Sequence, residues 1–574
     1  MRRIAMSERA WTRLCVLLGL FAVALCTLYI LQYTRFPYEP YRLFIFGYLL
    51  RIQDLPAAAL VGFIVLAAAL PRLSRPGLAL VAAIGERPWV SAAIAFVSLC
   101  IAQMLVAKNH PLAGDEYLIL MQAKAFAAGR LTPQFPPELV TWVVPWPYVN
   151  LWLFASVHTG KVVSVYWPGF ALLLAPFALL GIAGVCNAAL TSGSFVLIAA
   201  LARRLIGSPA AAGWALLLAL ASPAFTGMAL GYFSMPAHLF LNLLFAWLLL
   251  ERTPRRLFLA GAVGSLALIL NNPMPHVLFA LPWIFWIAWR EGRGALLRLA
   301  AGYAPLTLIG GVGWWLLMRQ VQGHLWYAPY PADAEPGHWF GNFLFHWHLQ
   351  FDRVFVEPDA ATLANRTAEF AKLWLWTVPG LPAVALIGGW LARRDAHLRL
   401  LGLSFAAMLA GYLFVRFDQG YGWGVRYLHP ALGALPILGA AAIARLRNGE
   451  LLGVLPRYAA SAALLSLALA TPLRAWQIHA FMEDQLSRRP AFDEGVPQAV
   501  FVTLKWDYYT QDFVQNDPFL RDPVVFLLSR GRREDEALLR ERFPPATLVR
   551  AGPYGHVWRL EAPLAARNDQ RPAK

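Results

Sequence analysis

Long apolar runs separated by short, arginine-bearing breaks set the pattern of this chain. A membrane span needs about 20 apolar residues, and runs of that kind are expected near 11–33, 55–71, 88–107, 186–202, 211–229, 236–250, 257–272, 276–289, 299–318, 373–391, 399–415, 428–444 and 457–473. The first run exceeds a signal-peptide core and lacks a small-residue cleavage site, so it reads as a retained span. Region 168–202 is almost continuously apolar, too long for one helix and short for two. With 168–182 as a re-entrant or interfacial helix, the basic clusters at 203–204, 251–256, 289–294, 392–399 and 444–457 all fall on the side of the Met-Arg-Arg start, which the positive-inside rule makes the cytoplasm. The opposite side receives the loops 108–185 and 319–372, residues 416–427 and the C-terminal tail. After about Thr471 the hydrophobicity drops, and 499–504, 523–528, 546–551 and 555–562 read as strands with a helix at 535–543.

The expected fold class is therefore an all-α polytopic membrane protein of about 13 transmembrane helices with a small C-terminal α/β extracytoplasmic domain. It divides into an N-terminal hairpin and cytoplasmic loop (1–87), a transmembrane module (88–474) and a periplasmic α/β domain (475–574). The expected location is a bacterial inner membrane, crossed many times, with the functional face periplasmic.

Composition agrees. Of 574 residues 59% are hydrophobic and 14% charged, against roughly 25% charged in soluble domains. The net charge of +17 comes from arginines scattered between apolar runs, not from one basic face, so nucleic acid is excluded as a partner and the bilayer is the expected surroundings. Cys15, Cys26, Cys100 and Cys186 lie in or beside spans and have neither metal-ligand nor disulfide spacing.

Four polar constellations carry candidate chemistry. Asp115 and Glu116 head an apolar segment, 115–128, that Gly129 can end. It reads as an amphipathic helix on the membrane surface, with Asp115 either its N-cap or a proton acceptor, and Glu116 favoured by the helix dipole. Lys161 precedes a Tyr-Trp-Pro-Gly turn at 166–169, where snorkelling to the surface competes with a functional role. Arg426 lies in a glycine- and aromatic-rich stretch, at the wrong end of the next helix dipole and on the wrong side for the positive-inside rule. It asks for an anion: a lipid phosphate, a headgroup or Asp418. The loop 319–372 holds His324, His338, His346 and His348 with Asp333, Glu335 and Asp352. A divalent metal is possible there, although the spacing is not that of a metal site and the aromatic density fits interfacial anchoring or sugar stacking better.

With Gly-Asp-Glu-Tyr at 114–117, AKAFAAGRL at 123–131, YWPG at 166–169, ARRL at 202–205 and GYGWGVRYLHP at 420–430, the chain resembles the GT-C superfamily of membrane glycosyltransferases. The likeness is to the bacterial branch related to protein O-mannosyltransferases and the lipid A aminoarabinose transferase, and it covers roughly 100–450. The resemblance implies an inverting transferase that moves a sugar from a polyprenyl-phosphate donor to a glycolipid, polysaccharide or protein acceptor outside the cytoplasmic membrane. It places the catalytic acid at Asp115 with Glu116 beside it. Donor and phosphate contacts fall to Arg426 and Lys161, with Tyr166 and Tyr427 shaping that pocket, and acceptor binding involves the C-terminal domain. Trp167 stands where the family has proline, and the cationic residue some relatives carry before their paired prolines is absent. The competing readings are a transporter or flippase, which would place ionisable groups inside spans, and a polysaccharide polymerase or ligase working on lipid-linked glycans.

Overall fold

A computed structural model describes residues 7–35, 45–149, 152–322, 354–446, 451–505 and 509–563. The histidine-rich segment from His324 to Asp352 lies outside the described residues.

The protein is mostly helical, a multi-pass membrane protein by the length and apolarity of its helices. Six described helices satisfy both conditions: Glu8–Tyr33, Ile45–Ala67, Pro88–Leu105, Val185–Ile206, Gly292–Val321 and Gly453–Leu486. At about 1.5 Å per residue the first, at 26 residues, reaches about 39 Å. Shorter apolar helices such as Pro209–Leu220 and Met235–Leu249 fill the interior. Each apolar run of the sequence carries helix, but several are broken. The run at 211–229 stops at Ala221 and restarts at Pro223, whose ring cannot continue the hydrogen-bond ladder. The run at 373–391 takes in the end of one helix and the whole of the next, Ala360–Trp376 and Leu381–Leu391, bent by 97° where Pro379 meets a left-handed Gly380. The run at 428–444 is regular only from Ala434, because His429–Ala431 forms a 3-10 turn around Pro430.

Two expectations need correction. Segment 115–128 is helical as Gly114–Ala127, with Gly129 in the left-handed conformation, but it is not a surface helix. Its residues from Gly114 to Ile119 are all buried. One side packs through Ile119 and Ala123 on Phe170 and Leu174 of the helix Gly169–Leu179, and Tyr117 and Leu118 pack on the other side with Phe501 and Val525 near the C-terminus. The last membrane helix also runs on to Leu486, through the 474/475 division expected from composition. The helix Gly169–Leu179 has 11 residues, about 16 Å, roughly half of a hydrocarbon core.

Past Leu486 the strands β3 (Gln498–Val502), β4 (Val524–Leu528), β5 (Ala546–Gly552) and β6 (Gly555–Leu560) form one sheet in the order β4-β3-β6-β5, with Arg532–Arg542 as its helix. β3 and β4 are parallel and the other pairings antiparallel. A hairpin of β1 (Leu153–Ala155) and β2 (Val162–Ser164) lies earlier in the chain.

A buried ionic cluster ties the N-terminal helices to this body. Asp54 accepts from Lys372 at 3.1 Å, Arg474 at 2.9 Å and the Trp376 indole at 2.5 Å. Arg474 also donates to Gln477 and to the backbone oxygens of Gln53 and Leu375. Removing one member of such a set leaves a buried charge uncompensated.

Candidate active site

The site forms where the start of the Gly114–Ala127 helix meets the loop after Tyr412. A helix start leaves backbone N–H groups without partners, and Glu116 supplies acceptors for this region. Its Oε2 accepts from Leu112 N (3.0 Å) and Ala113 N (3.4 Å), and its Oε1 from Tyr232 N (2.6 Å). The cap expected of Asp115 thus belongs to Glu116, while Ala113 occupies the N-cap position. Burial pushes the Glu116 carboxyl up to about 7, the bonds from Tyr232 and Leu112 opposing the shift and the Asp115 charge adding to it. Gly231, at φ +152°, lies against Glu116 Oε1, and a Cβ there would collide with that oxygen.

Asp115, one residue earlier, turns toward the other wall and forms an ion pair with Arg426 Nη2. The two side chains are 12% and 13% exposed, sheltered yet reachable. Arg426 is held from several directions. Its Nη1 donates to the carbonyls of Gln419 and Tyr421, its guanidinium stacks 4.2 Å from the Phe233 ring centroid, and its backbone N–H donates to Gln419 Oε1 at 3.0 Å. Its Nε has no hydrogen-bond partner among the described residues. Burial opposes the Arg426 charge, but Asp115 more than restores it, so the guanidinium is raised above its ordinary range.

Tyr166 stands in the field of both charges, and burial, ahead of the Asp115 charge, pushes its phenol well above the usual range. Tyr427 takes another orientation. Its hydroxyl donates to the Asp418 carbonyl (2.7 Å), its ring stacks on Tyr412 at 4.6 Å, and Arg366 lies over it at 5.0 Å. It braces the loop that carries Arg426. Asp418, weighed as a partner for Arg426, instead accepts from Gly420 N.

An acid and a guanidinium 311 residues apart in sequence thus share one sheltered pair beside a tyrosine. No curated protein and no family model matches the chain. The fold comparison does find similar solved structures. The likeness is to ArnT. Two structures of ArnT from Cupriavidus metallidurans are similar to this chain. One is bound to undecaprenyl phosphate, with 15% identity and a TM-score of 0.48. The other is in the apo state, with 14% identity and a TM-score of 0.46. Each match covers 82% of this chain and 98% of that chain. At this level the likeness to ArnT assigns no activity to this chain.

Lys161, the remaining donor-site expectation, is not brought into the cluster. It begins the β2 side of the hairpin, where its backbone pairs with Gln134, and it shares no hydrogen bond or ion pair with Asp115, Arg426 or Tyr166 among the described residues. No group of three or more His, Cys, Asp or Glu is arranged to hold a metal ion among the described residues.

Sequence reasoning missed Asp512 and Tyr148. The Tyr148 hydroxyl donates to Asp512 Oδ1, directly beside Gly114. A Cβ on Gly114 would lie 2.5 Å from Tyr148 Cζ, so the absence of a side chain there admits the ring. Burial pushes Asp512 up to about 8, against the Tyr148 bond and with the Asp115 charge adding. Nothing in the spacing of Thr-Gln-Asp-Phe signals this, since the contact spans 364 residues.

Proposed function

We propose that this protein is an inverting glycosyltransferase of the bacterial inner membrane. It takes a sugar from a polyprenyl-phosphate donor and passes it to a hydroxyl of a glycolipid, glycan or protein acceptor on the periplasmic face. The observation that carries the reading is the Asp115–Arg426 pair.

In this structure the two charges satisfy each other. A donor phosphate entering beside Arg426 competes for the guanidinium, whose planar fork suits phosphate oxygens, and frees one Asp115 oxygen. Asp115 then accepts the acceptor's hydroxyl proton while that oxygen bonds to the anomeric carbon. The bond from that carbon to the phosphate oxygen breaks on the opposite face, and the electron pair leaves with the polyprenyl phosphate. Arg426 stabilises the charge gathering on the departing phosphate. Tyr166 lines the donor side and Glu116 keeps the helix start in place. Undecaprenyl phosphate, the lipid in one ArnT structure, has the chemistry of the proposed leaving group, a polyprenyl phosphate without its sugar. Transport is the competing reading. The charges it would draw on, Asp54 with Lys372 and Arg474, are engaged with one another.

Asp115→Asn keeps the shape of the side chain and an oxygen facing Arg426. Its expected effect is a 10²- to 10⁴-fold loss of transfer, the usual size of a general-base contribution, with normal membrane insertion. Mass spectrometry of membrane lipids and surface glycans should show the lipid-linked sugar accumulating and the glycan losing it. Unchanged lipids and glycans in cells carrying a well-inserted Asp115→Asn protein would overturn the proposal.

A further inference from the structure

The segment from Tyr509 to Asn516 does more than lead into β4. Gln515 Nε2 donates to the Pro111 carbonyl at 2.9 Å. The Tyr117 hydroxyl donates to the Asn516 carbonyl at 3.1 Å and accepts from Asn516 N at 2.8 Å. Between these points Asp512, 4% exposed, takes the Tyr148 hydroxyl and a bond from the Gly114 backbone. Pro111, Gly114 and Tyr117 bracket Asp115 on both sides. The far end of the segment is anchored to the sheet, because Asn516 exchanges two bonds with Phe526 of β4, at 2.9 and 2.8 Å. The near end touches the Arg426 loop, where the Tyr509 and Tyr421 rings meet edge to face at 5.5 Å.

From this geometry we infer that the C-terminal segment Tyr509–Asn516 is a third wall of the reaction centre, and that Asp512 is a positioning residue which, through Tyr148 and the Gly114 backbone, sets where Asp115 stands against Arg426. The inference rests on the transferase reading above and adds to it a role in the reaction for the C-terminal region. Asp512 does not take the acceptor's proton. It holds the turn of helix from which Asp115 projects. Misplacing a reacting group by about 1 Å is enough to slow a reaction by roughly 100-fold, so a buried bond one residue from the base is well placed to act on rate.

The test uses full-length protein in lipid nanodiscs. The donor is purified from cells carrying Asp115→Asn, where the transferase reading predicts that it accumulates. Asp512→Asn and Tyr148→Phe are each expected to lower kcat by about tenfold or more with the donor KM within about twofold. The double variant should be no slower than the slower single variant, because both changes act through the same Tyr148–Asp512 contact. Undecaprenyl phosphate binding, measured without turnover, should be unchanged in all three. Should Asp512→Asn not fold, Tyr148→Phe, which removes one contact, and Gln515→Ala, which removes the bonds to the Pro111 and Asp512 carbonyls, carry the same expectation for kcat. Wild-type kcat in folded variants would overturn the inference, as would a loss of undecaprenyl phosphate binding parallel to the loss of rate. Asp115→Asn separates the two levels. If it is inactive while the Asp512 and Tyr148 variants turn over normally, only the positioning role falls. If it is itself active, the transferase mechanism falls.

Discussion

Replacing Glu116 by Gln probes the helix start quantitatively. The carboxyl takes three backbone N–H donors, two on one oxygen and one on the other. Glutamine retains a single carbonyl oxygen, so its NH2 must face either Tyr232 N or the Leu112–Ala113 pair. Leaving a buried donor without an acceptor costs about 1–3 kcal/mol. The wild-type group carries a burden of its own, which depends on pH. Its carboxyl rises from the ordinary 4.5 to about 7 in the folded protein. Between those values the folded chain binds a proton that the unfolded chain has lost, so stability from this group falls as pH rises through the window. The shift corresponds to about 3 kcal/mol once pH exceeds the upper value. Glutamine does not titrate. At pH 5 the variant should therefore be less stable by about 1–3 kcal/mol, and by pH 8 the gap should close or reverse. Asp512 and every other titrating group are common to both proteins and cancel to first order. Thermal unfolding of both proteins in one detergent at pH 5 and pH 8 reads the difference. A gap that is constant with pH, or that widens as pH rises, would refute the reasoning.

Gly114→Ala places a methyl group 2.5 Å from Tyr148 Cζ, and the overpacking should cost about 1–3 kcal/mol, read as a lower melting temperature. Arg426→Lys keeps the charge but loses the planar fork. It should weaken use of the donor more than use of the acceptor, which separate KM measurements for the two substrates will show. Reporter fusions at 205 and 370 should report opposite sides of the membrane, and finding both on one side would overturn the charge-based topology.

The residues differ in how far their neighbours along the chain reveal them. Asp115 and Arg426 stand out in sequence because each is a charge in the wrong company, an acid at the edge of apolar runs and an arginine at a dipole's unfavourable end. That they meet is a tertiary fact, set by helices between them that carry no sign of it. Glu116 and Asp115 look alike in sequence, and what separates them is tertiary: Tyr232 N and the Leu112 and Ala113 N–H groups hold Glu116, while Asp115 turns to Arg426. The bend at Gly380 was written in Pro379-Gly380, yet hydropathy smoothed it into one span. It also left Glu369 and Lys372 in an expected loop, although both sit in the helix Ala360–Trp376. The four strands are legible as β-branched and apolar runs, whereas the sheet order and the reach of Asp512 to Gly114 depend on long-range packing.

Asp54 has a consequence for how the molecule is made. It leaves the ribosome 318 residues before Lys372 and still longer before Arg474, which belongs to the last membrane helix. Until both cations arrive, the first hairpin holds an acid with no counter-charge, and it cannot take its final seat. The hairpin that carries Asp54 is thus made well before it can be fixed. A chain stalled before the helix Gly453–Leu486 should leave that hairpin open to membrane quality control.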